Sequence, residues 1–322
     1  MRAAHVIRKA AFGLAAPLLA ACMTNGITPN QAAPESARPL SSSGSDLLYV
    51  SEYGESELQI YSYPQNKLLQ TIKNVVYYPD GECTDAAGDV YVANAARDYV
   101  SEFAHGGTSP IETFVDKRRH PVTCSVDPAT GKLAVTEYGY VNSIRNSIAI
   151  YSSPIDKPTQ YFAPLFIYIS CAYDPEGDLF VDGYDDSRHF RLVELPVGST
   201  KFKKIALDKR PAVAGNLMWD GTYMTVSDHK RSIYRFSISG RRGLLVGTTT
   251  ILGIRRGLSL YSIEGGTLIV ADVVAPDSMF GKGSLKFYNY PAGGRPTNSI
   301  HKLLGPDDGV VSAGEPARDQ AP

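Results

Sequence analysis

Residues 85–92 read DAAGDVYV, and variants of this stretch recur along most of the 322-residue chain. A turn built on Asp and Gly precedes a short apolar segment that closes on valine. The pair suits a tight turn because Asp bonds its own backbone and Gly accepts positive φ. The apolar segments close at residues 50, 92, 135, 181, 226 and 270, which are 42 to 46 residues apart. Such a regular period indicates a repeat architecture.

A second series of positions supports the same period. Each apolar segment is followed by another strand that ends on an aromatic or apolar residue, namely Tyr61, Phe103, Tyr151, Val193, Phe236 and Tyr288. Each repeat therefore contains four strands, a to d, and strand b is apolar on both faces, as a sheet covered on both sides requires. A period near 44 residues is the length of one propeller blade. The sequence predicts an all-β, six-bladed β-propeller with four-stranded blades over residues 46–314.

The two ends of this region complement each other. The first repeat starts at strand b, Leu47, and lacks a strand a. Residues 305–314 (GPDDGVVSAG) resemble residues 78–88 (YPDGECTDAAG), which form strand a of the second repeat. We therefore predict that the C-terminal strand closes the ring, which removes sheet edges that would otherwise favour aggregation.

The repeat pattern D-x-x-G-x-[apolar]-[aromatic/apolar]-V-[small]-[D/N/E] resembles the NHL-repeat type of six-bladed propeller. The wider group includes TolB-like proteins and the gluconolactonase/regucalcin-like lactonases. The resemblance covers residues 46–314 and implies the fold more strongly than any function, since propellers serve as enzymes, sensors and scaffolds. It also implies one alternative function, because lactonases of this group hold a metal near the axis with Glu, Asn and Asp.

The N-terminus has the pattern of an export signal. Residues 1–9 are basic, residues 10–21 are apolar, and the latter stretch is shorter than the ~20 residues of a membrane-spanning helix. Leu-Ala-Ala-Cys at 19–22 resembles the bacterial lipobox, which predicts a lipoprotein signal peptide over 1–21 and lipidation of Cys22. Met23 after the cysteine favours the outer membrane where there are two membranes. Residues 22–45 and 315–322 predict a disordered tether and tail.

Composition narrows the class of partner. The formal net charge is −1, with 29 Gly and 21 Pro, which favours a globular chain and gives no attraction to nucleic acid. The sequence has no G-x-S-x-G, Walker or paired-histidine motif. No catalytic residue is predicted, and enzymatic activity stays an open question that the sequence does not favour.

Polar residues lie two positions after five of the six valines. They are Glu52, Asn94, Glu137, Asp228 and Asp272, with Gly183 in the remaining repeat. Oxygen ligands of this kind suit Ca²⁺, so a ring of metal ligands is one interpretation. The other, which we favour, is that these side chains cap the b–c turns. No cofactor is therefore required, and calcium remains an alternative.

Three of the d–a connections carry paired bases, which are Arg118 with Arg119, Lys209 with Arg210, and Arg255 with Arg256. Paired cations suit an anionic ligand such as a phosphate or a glycan acid. The alternative, which we favour, is solvated loop charge balanced by nearby acids.

Two b–c loops exceed the others in length, in the third and sixth repeats. Long loops often carry binding residues, and these contain residue types common in interface cores. The candidates are Tyr138, Tyr140, Arg145, Met279 and Phe280. Harmless insertion is the alternative.

Three cysteines, Cys83, Cys124 and Cys171, fall on predicted inner strands. Neighbouring sheets stack ~10 Å apart, so we expect buried free thiols, with Cys83–Cys124 as the first pair to test for a disulfide.

Together these features predict a monomeric, membrane-anchored protein of the bacterial cell envelope. It would act as a binding or scaffold module for an envelope protein or an anionic ligand. The alternative is a metal-dependent lactonase or hydrolase with the acidic ring as its site. A cation bound near the axis would separate the two functions.

Overall fold

The computed structural model describes residues 44–139, 145–228, 230–255, 258, 260–273 and 280–314. Every described residue belongs to one compact unit, Ala37–Pro322. All regular elements in these ranges are β-strands, which confirms the all-β prediction. Among the described residues, no helix is long and apolar enough to cross a membrane.

The first half of the described chain contains twelve strands. They are β1 (Leu47–Glu52), β2 (Glu57–Ser62), β3 (Leu68–Lys73), β4 (Pro79–Thr84), β5 (Val90–Asn94), β6 (Tyr99–Phe103), β7 (Glu112–Val115), β8 (Arg119–Val126), β9 (Leu133–Gly139), β10 (Ser147–Tyr151), β11 (Thr159–Tyr161) and β12 (Ile167–Tyr173).

The second half contains twelve more. They are β13 (Leu179–Tyr184), β14 (Phe190–Leu195), β15 (Lys203–Leu207), β16 (Leu217–Trp219), β17 (Met224–Ser227), β18 (Ser232–Ser239), β19 (Arg242–Thr250), β20 (Tyr261–Glu264), β21 (Thr267–Val273), β22 (Lys282–Asn289), β23 (Gly293–Leu304) and β24 (Pro306–Ser312).

Hydrogen bonds join these strands into antiparallel groups of four. Four sheets have the orders β24-β1-β2-β3, β4-β5-β6-β7, β8-β9-β10-β11 and β20-β21-β22-β23. The remaining eight strands form one sheet in which β12–β15 and β16–β19 are joined. The join is a two-residue parallel contact between the outer strands, with Ala206 opposite Arg242 and Leu207 opposite Gly243. The sequence pattern predicted separate four-stranded sheets, and it could not show this contact between two outer edges.

Strand β1 lies between strands from both ends of the described chain. It pairs antiparallel with β2 and with β24, and in the second pairing Leu47 lies opposite Ser312 and Val50 opposite Gly309. The register shifts between Ser51 and Glu52. The residues that the sequence matched to a missing inner strand therefore form the fourth strand of this sheet.

The core lies between the sheets. Every residue of β1 and β5 is buried, as expected for strands covered on both faces. Since alternate side chains point to opposite faces, Leu47 and Tyr49 pack against β5, whereas Leu48 and Val50 pack against β21. The first sheet is thus held between the sheets of β4–β7 and β20–β23.

The strands β4, β8, β12, β16, β20 and β24 are called the inner strands below. Side-chain links join neighbouring inner strands, with Asn216, the residue before β16, acting for that strand: Glu82 N to Asp308 Oδ2 (2.9 Å), the Cys83–Cys124 disulfide, Tyr173 N to Ser125 Oγ (3.0 Å), Ser170 Oγ to Asn216 Oδ1 (2.6 Å), Asn216 Nδ2 to Tyr261 O (2.8 Å), and Ser262 Oγ to Gly309 O.

The disulfide corrects one expectation. Free thiols were expected at Cys83 and Cys124 because neighbouring sheets stack too far apart, and that expectation is wrong for this pair. The inner strands approach more closely than the sheets as a whole, so the two Cα atoms lie 5.7 Å apart, within bonding range. Cys171 is a buried free thiol, as expected.

Candidate functional site

A cavity of about 180 Å³ is lined by residues of all six inner strands and Asn216 beside β16. Part of its lining is polar, including Glu82, Thr123, Asn216, Ser262 and Asp308. Because residues of all six inner strands line it, we call it the axial cavity.

Two neighbouring inner strands bring four carboxyl side chains together beside this cavity. β4 begins Pro79-Asp80-Gly81-Glu82, and β24 begins Pro306-Asp307-Asp308. Asp80 and Asp307 are partly exposed and hydrogen-bond to each other through their side chains. Glu82 (6% exposed) and Asp308 (4% exposed) lie deeper. These four residues are called the axial acidic cluster.

Burial makes ionisation of this cluster costly. It raises the pKa of Asp308 to about 7, although the backbone amides of Glu82 and Gly309 donate to its carboxylate and oppose the shift. The pKa of Asp80 is raised well above its ordinary value by burial and by Asp307. Burial, with Asp308 and Asp307 nearby, raises that of Glu82 in the same direction. The cluster therefore carries protons near neutral pH.

Glu82 is deeply buried in the cluster. The backbone amide of Val310 hydrogen-bonds to its carboxyl group and opposes the rise in its pKa, but burial has the larger effect. Burial of this carboxyl group therefore costs free energy, and more so in its charged form.

Three aromatic side chains pack together near the cluster. The ring centroid of Tyr53 lies 5.0 Å from that of Tyr78 and 5.8 Å from that of Phe280, and Tyr78 and Phe280 are 5.9 Å apart. Burial, and then the nearby charges of Asp80 and Asp307, raise the pKa of Tyr53. Tyr78 is 37% exposed and Phe280 55% exposed. Tyr53, Tyr78 and Phe280 are called the aromatic trio.

Close backbone packing holds the trio in place. The Tyr53 amide donates to Gly305 O (2.9 Å) and the Gly54 amide to Leu304 O (3.1 Å). A Cβ at Gly54 would lie 2.7 Å from Leu304 O and 3.3 Å from the Phe280 Cα, so only glycine fits there. The β1–β2 turn, the segment before β24 and the segment before β22 therefore meet at this point.

Two predicted loop residues, Tyr138 and Phe280, come near the acidic cluster. Phe280 belongs to the trio, and Tyr138 lies near Asp80, which raises its pKa together with burial and Asp182. Arg145 lies elsewhere, with its guanidinium 5.4 Å from the ring centroid of Phe162 and a hydrogen bond to Ala163 O. Tyr140 and Met279 lie outside the described residues.

The five predicted metal ligands do not form one group. Three of them accept hydrogen bonds from backbone amides of other segments: Asn94 from Tyr77 N, Glu52 from Leu304 N and Asp272 from Arg255 N. Asp228 accepts from three successive amides of its own turn. Of these contacts, those of Asp228 are the ones expected for capping of its own b–c turn.

Glu137 is the fifth of these residues. Burial and the nearby Asp116 raise its pKa to about 9, while Arg119 acts in the opposite direction. Within the described ranges, no group of three or more His, Cys, Asp or Glu side chains is arranged to hold a metal ion. Calcium binding by these residues stays a prediction without a shared site to support it.

The predicted basic residues also lie apart. Arg119 is bonded to Ser147 Oγ (2.6 Å) and Arg145 O (2.8 Å), and its Nε is 3.3 Å from Asp116. Arg118, Arg210 and Arg255 are not buried; Arg210 lines a second pocket, of about 250 Å³, with β14 and β15. Arg256 and the lipidation candidate Cys22 lie outside the described residues. No described contact gathers these cations into one anion site.

Sequence reasoning missed the axial acidic cluster. One signal was available: Pro-Asp begins both β4 and β24, the same two segments whose similarity predicted ring closure. Two inner strands that resemble each other and lie side by side place their aspartates together.

No protein-family model matches the chain, and no curated protein matches it. A chain in the crystal structure of a nidogen/laminin complex is similar to it at 12% sequence identity and a TM-score of 0.66. The match covers 84% of this chain and 99% of the other. At this identity the likeness shows the fold alone: the described domain is a β-propeller.

Proposed function

We propose that this protein is an exported, lipid-anchored propeller that binds a protein partner at the surface around the aromatic trio. The observation that carries the proposal is the trio itself, because exposed aromatic side chains that pack edge to face beside buried polar groups are typical of interface hot spots. The similar chain found in a nidogen/laminin complex supports a binding role for this fold.

The proposal includes a ring of six four-stranded blades closed by β24. The links between neighbouring inner strands support this arrangement, as does the pairing of Val50 with Gly309. Closure matters for function because it brings Asp307 and Asp308 beside Asp80 and Glu82. The trio also gains its contact with Leu304 through the segment that leads into β24.

Anchoring rests on the sequence before residue 44. The basic start, the apolar run and Leu-Ala-Ala-Cys at 19–22 support a lipid on Cys22. Metabolic labelling with a tritiated fatty acid tests it: we expect label on the wild-type protein and none on Cys22→Ser. Label on neither protein would contradict lipid anchoring.

Partner binding is tested with the purified full-length protein as bait for proteins of the cell envelope. We expect a specific partner whose affinity falls at least tenfold when Tyr78 and Phe280 are both changed to alanine. The matched control is Ile155→Ala, which removes an apolar side chain that is 92% exposed and should leave the affinity unchanged. Equal affinities for all three proteins would exclude the trio as the binding surface.

A further inference from the structure

The axial cavity opens to solvent at one end of the inner strands. Its lining includes the segments Asn216–Trp219 and Tyr261–Glu264. Exposure increases along both segments, because Asn216 and Tyr261 are buried, whereas Trp219 is partly exposed and Glu264 is exposed. The open end is therefore the one at which each inner strand leads into strand b. Since strand b pairs antiparallel with the inner strand, this end lies opposite the b–c loops.

The size and charge of the cavity limit what it can hold. A cavity of ~150 Å³ accommodates benzene and drug-sized ligands take roughly 300 Å³ or more, so about 180 Å³ suits one six-membered ring with small substituents. None of the described residues that line it is Lys, Arg or His, which leaves an anion without a counter-charge. Burial raises the pKa of Glu82 and Asp308, so these two lining acids are largely uncharged near neutral pH. A neutral ligand therefore fits this cavity best.

Groups that can form hydrogen bonds line the cavity on every side. Each of the six inner strands contributes at least one polar side chain, and examples in chain order are Thr84, Ser125, Tyr173, Trp219, Ser262 and Asp308. An apolar ring that displaced water from this cavity would leave such groups without partners, at a cost in free energy. A ring with a hydroxyl group on most of its carbons avoids that cost, because each hydroxyl can both donate and accept.

Trp219 adds an independent observation that points to a ligand. Its indole nitrogen is buried and has no hydrogen-bond partner among the described residues. The N–H of a buried tryptophan usually finds a partner, and an indole N–H can only donate. A ligand at this residue must therefore offer an oxygen that accepts. The indole ring also offers an apolar face, and the C–H groups on one face of a sugar ring can pack against it.

We propose that the axial cavity binds a neutral cyclic polyol of the size of one hexose. The indole N–H of Trp219 donates to one of its oxygens, and hydroxyl side chains of β4, β8 and β20 bond to others. This site goes beyond the proposed function and does not depend on it, because the aromatic trio does not line the cavity. It is also separate from the polar residues that follow strand b, which lie at the other end of the strands.

Fluorescence of the full-length protein tests the proposal. Trp219 is the only tryptophan in the chain, so its emission reports directly on the cavity. Glucose, galactose, mannose and myo-inositol are the probes, and we expect at least one of them to change the emission saturably. It should bind at least tenfold more tightly than cyclohexanol, which keeps the ring but loses several hydrogen bonds, each worth about fivefold. No saturable change with any probe, or equal binding of cyclohexanol, would overturn the proposal.

Charge provides a second comparison. Glucuronate has the ring and hydroxyl groups of glucose and adds a carboxylate, which would lose its hydration in a cavity without a cationic side chain. We expect it to bind at least tenfold more weakly than the best neutral probe. Glucuronate that bound as tightly would overturn the assignment of a neutral ligand.

Variants locate the bound polyol, with affinities measured by isothermal titration calorimetry. Trp219→Phe keeps an aromatic ring and removes the N–H donor, so we expect a loss of about fivefold, the value of one hydrogen bond. Thr84→Val removes a lining hydroxyl and should also weaken binding. Thr113→Val makes the same change at an exposed position of β7 and should have no effect. Unchanged affinity in folded Trp219→Phe would overturn the site.

Two controls complete the test. The melting midpoint of each variant confirms folding, and Thr84→Val combined with Ser125→Ala serves if Trp219→Phe does not fold; unchanged affinity in that double variant would overturn the site equally. The variant with alanine at both Tyr78 and Phe280 should bind the polyol as the wild type does. A loss of polyol affinity in this variant would place the sugar at the aromatic trio and overturn the assignment to the cavity, whereas loss of the protein partner alone would leave both proposals standing.

Discussion

Asp272 and Asp308 are both buried carboxylates, but they differ in the groups that bond to them. Asp272 (2% exposed) bonds to the Lys286 ammonium and to the Arg255 amide. Asp308 (4% exposed) receives backbone amides of Glu82 and Gly309, and three further carboxyls of the cluster lie around it. The first arrangement is complete within the protein. In the second, backbone amides rather than a charged side chain hold the Asp308 carboxylate, and burial raises its pKa to about 7.

Removing β24 should have the largest effect on the protein, because it removes Asp307 and Asp308, half of the axial acidic cluster. Deletion of residues 303–322 also leaves β1 with one neighbour and exposes its edge, so we expect loss of cooperative unfolding and aggregation. Circular dichroism on heating and size-exclusion chromatography measure both. A truncated protein with an unchanged melting midpoint would contradict closure by this strand.

Breaking the Lys286–Asp272 ion pair should destabilise the protein more than removing one carboxylate from the axial acidic cluster. Lys286→Met leaves Asp272 buried without its cation, and we expect a loss of about 3–5 kcal/mol in the free energy of unfolding. Glu82→Gln should cost close to nothing, because it removes a carboxyl group whose charge burial disfavours and keeps an oxygen that can accept from the Val310 amide. Urea denaturation compares the two variants, and Lys286→Met with Asp272→Asn is the control that should recover part of the loss. Equal destabilisation by Lys286→Met and Glu82→Gln would contradict the expected difference between the ion pair and the acidic cluster.

Removing the Cys83–Cys124 disulfide should destabilise the protein less than breaking the Asp272–Lys286 ion pair does at the upper end of its expected range. Replacing Cys83 and Cys124 together by serine opens a loop whose ends are 41 residues apart in the sequence. Loss of such a disulfide typically lowers the free energy of unfolding by about 2–4 kcal/mol. Urea denaturation of the double variant measures it, with Cys171→Ser as the control for a buried thiol outside the link. No change in the double variant would show that the bond is absent or without effect on stability.

The cluster should make stability fall as pH rises. Asp308 has a folded pKa of about 7 against an ordinary value of 3.8, and the pKa values of Asp80 and Glu82 are raised too. Between about pH 4 and 7 the folded state therefore holds more protons than the unfolded chain. Each such carboxyl lowers the free energy of unfolding by about 1.4 kcal/mol per pH unit as pH rises.

Denaturation in urea at pH 5 and pH 8 measures this dependence. We expect the wild-type protein to be less stable at pH 8, and Glu82→Gln with Asp308→Asn to reduce the difference. Glu176→Gln serves as the control with one exposed carboxyl removed. The same slope in the cluster variant and the wild type would show that other groups, Glu137 among them, cause the dependence.

Calcium should have the smallest effect. Backbone amides of Leu304, Tyr77 and Arg255 already donate to the side-chain oxygens of Glu52, Asn94 and Asp272, respectively. We therefore expect no heat on titration with Ca²⁺ and an unchanged melting midpoint. Heat that disappears in Glu52→Gln or Asp272→Asn would instead favour the metal-dependent alternative.

The repeat pattern predicted the all-β architecture because strand b is buried on both faces in each unit, from Leu47–Val50 to Leu268–Val270. It could not predict the Cys83–Cys124 bond, since distances at the inner strands differ from the mean spacing of sheets. It also missed the acidic cluster. Pro79-Asp80 and Pro306-Asp307 resemble ordinary turn chemistry, and their meaning depends on two strands 227 residues apart lying side by side.

The position of β1 between β2 and β24 has a consequence for how the protein is made. One neighbour of the first strand is supplied by Pro306–Ser312, so the sheet stays incomplete until almost the whole chain has been synthesised. Contacts at such sequence separation form late and slowly. Late completion of this sheet would keep the chain open for the export that we propose.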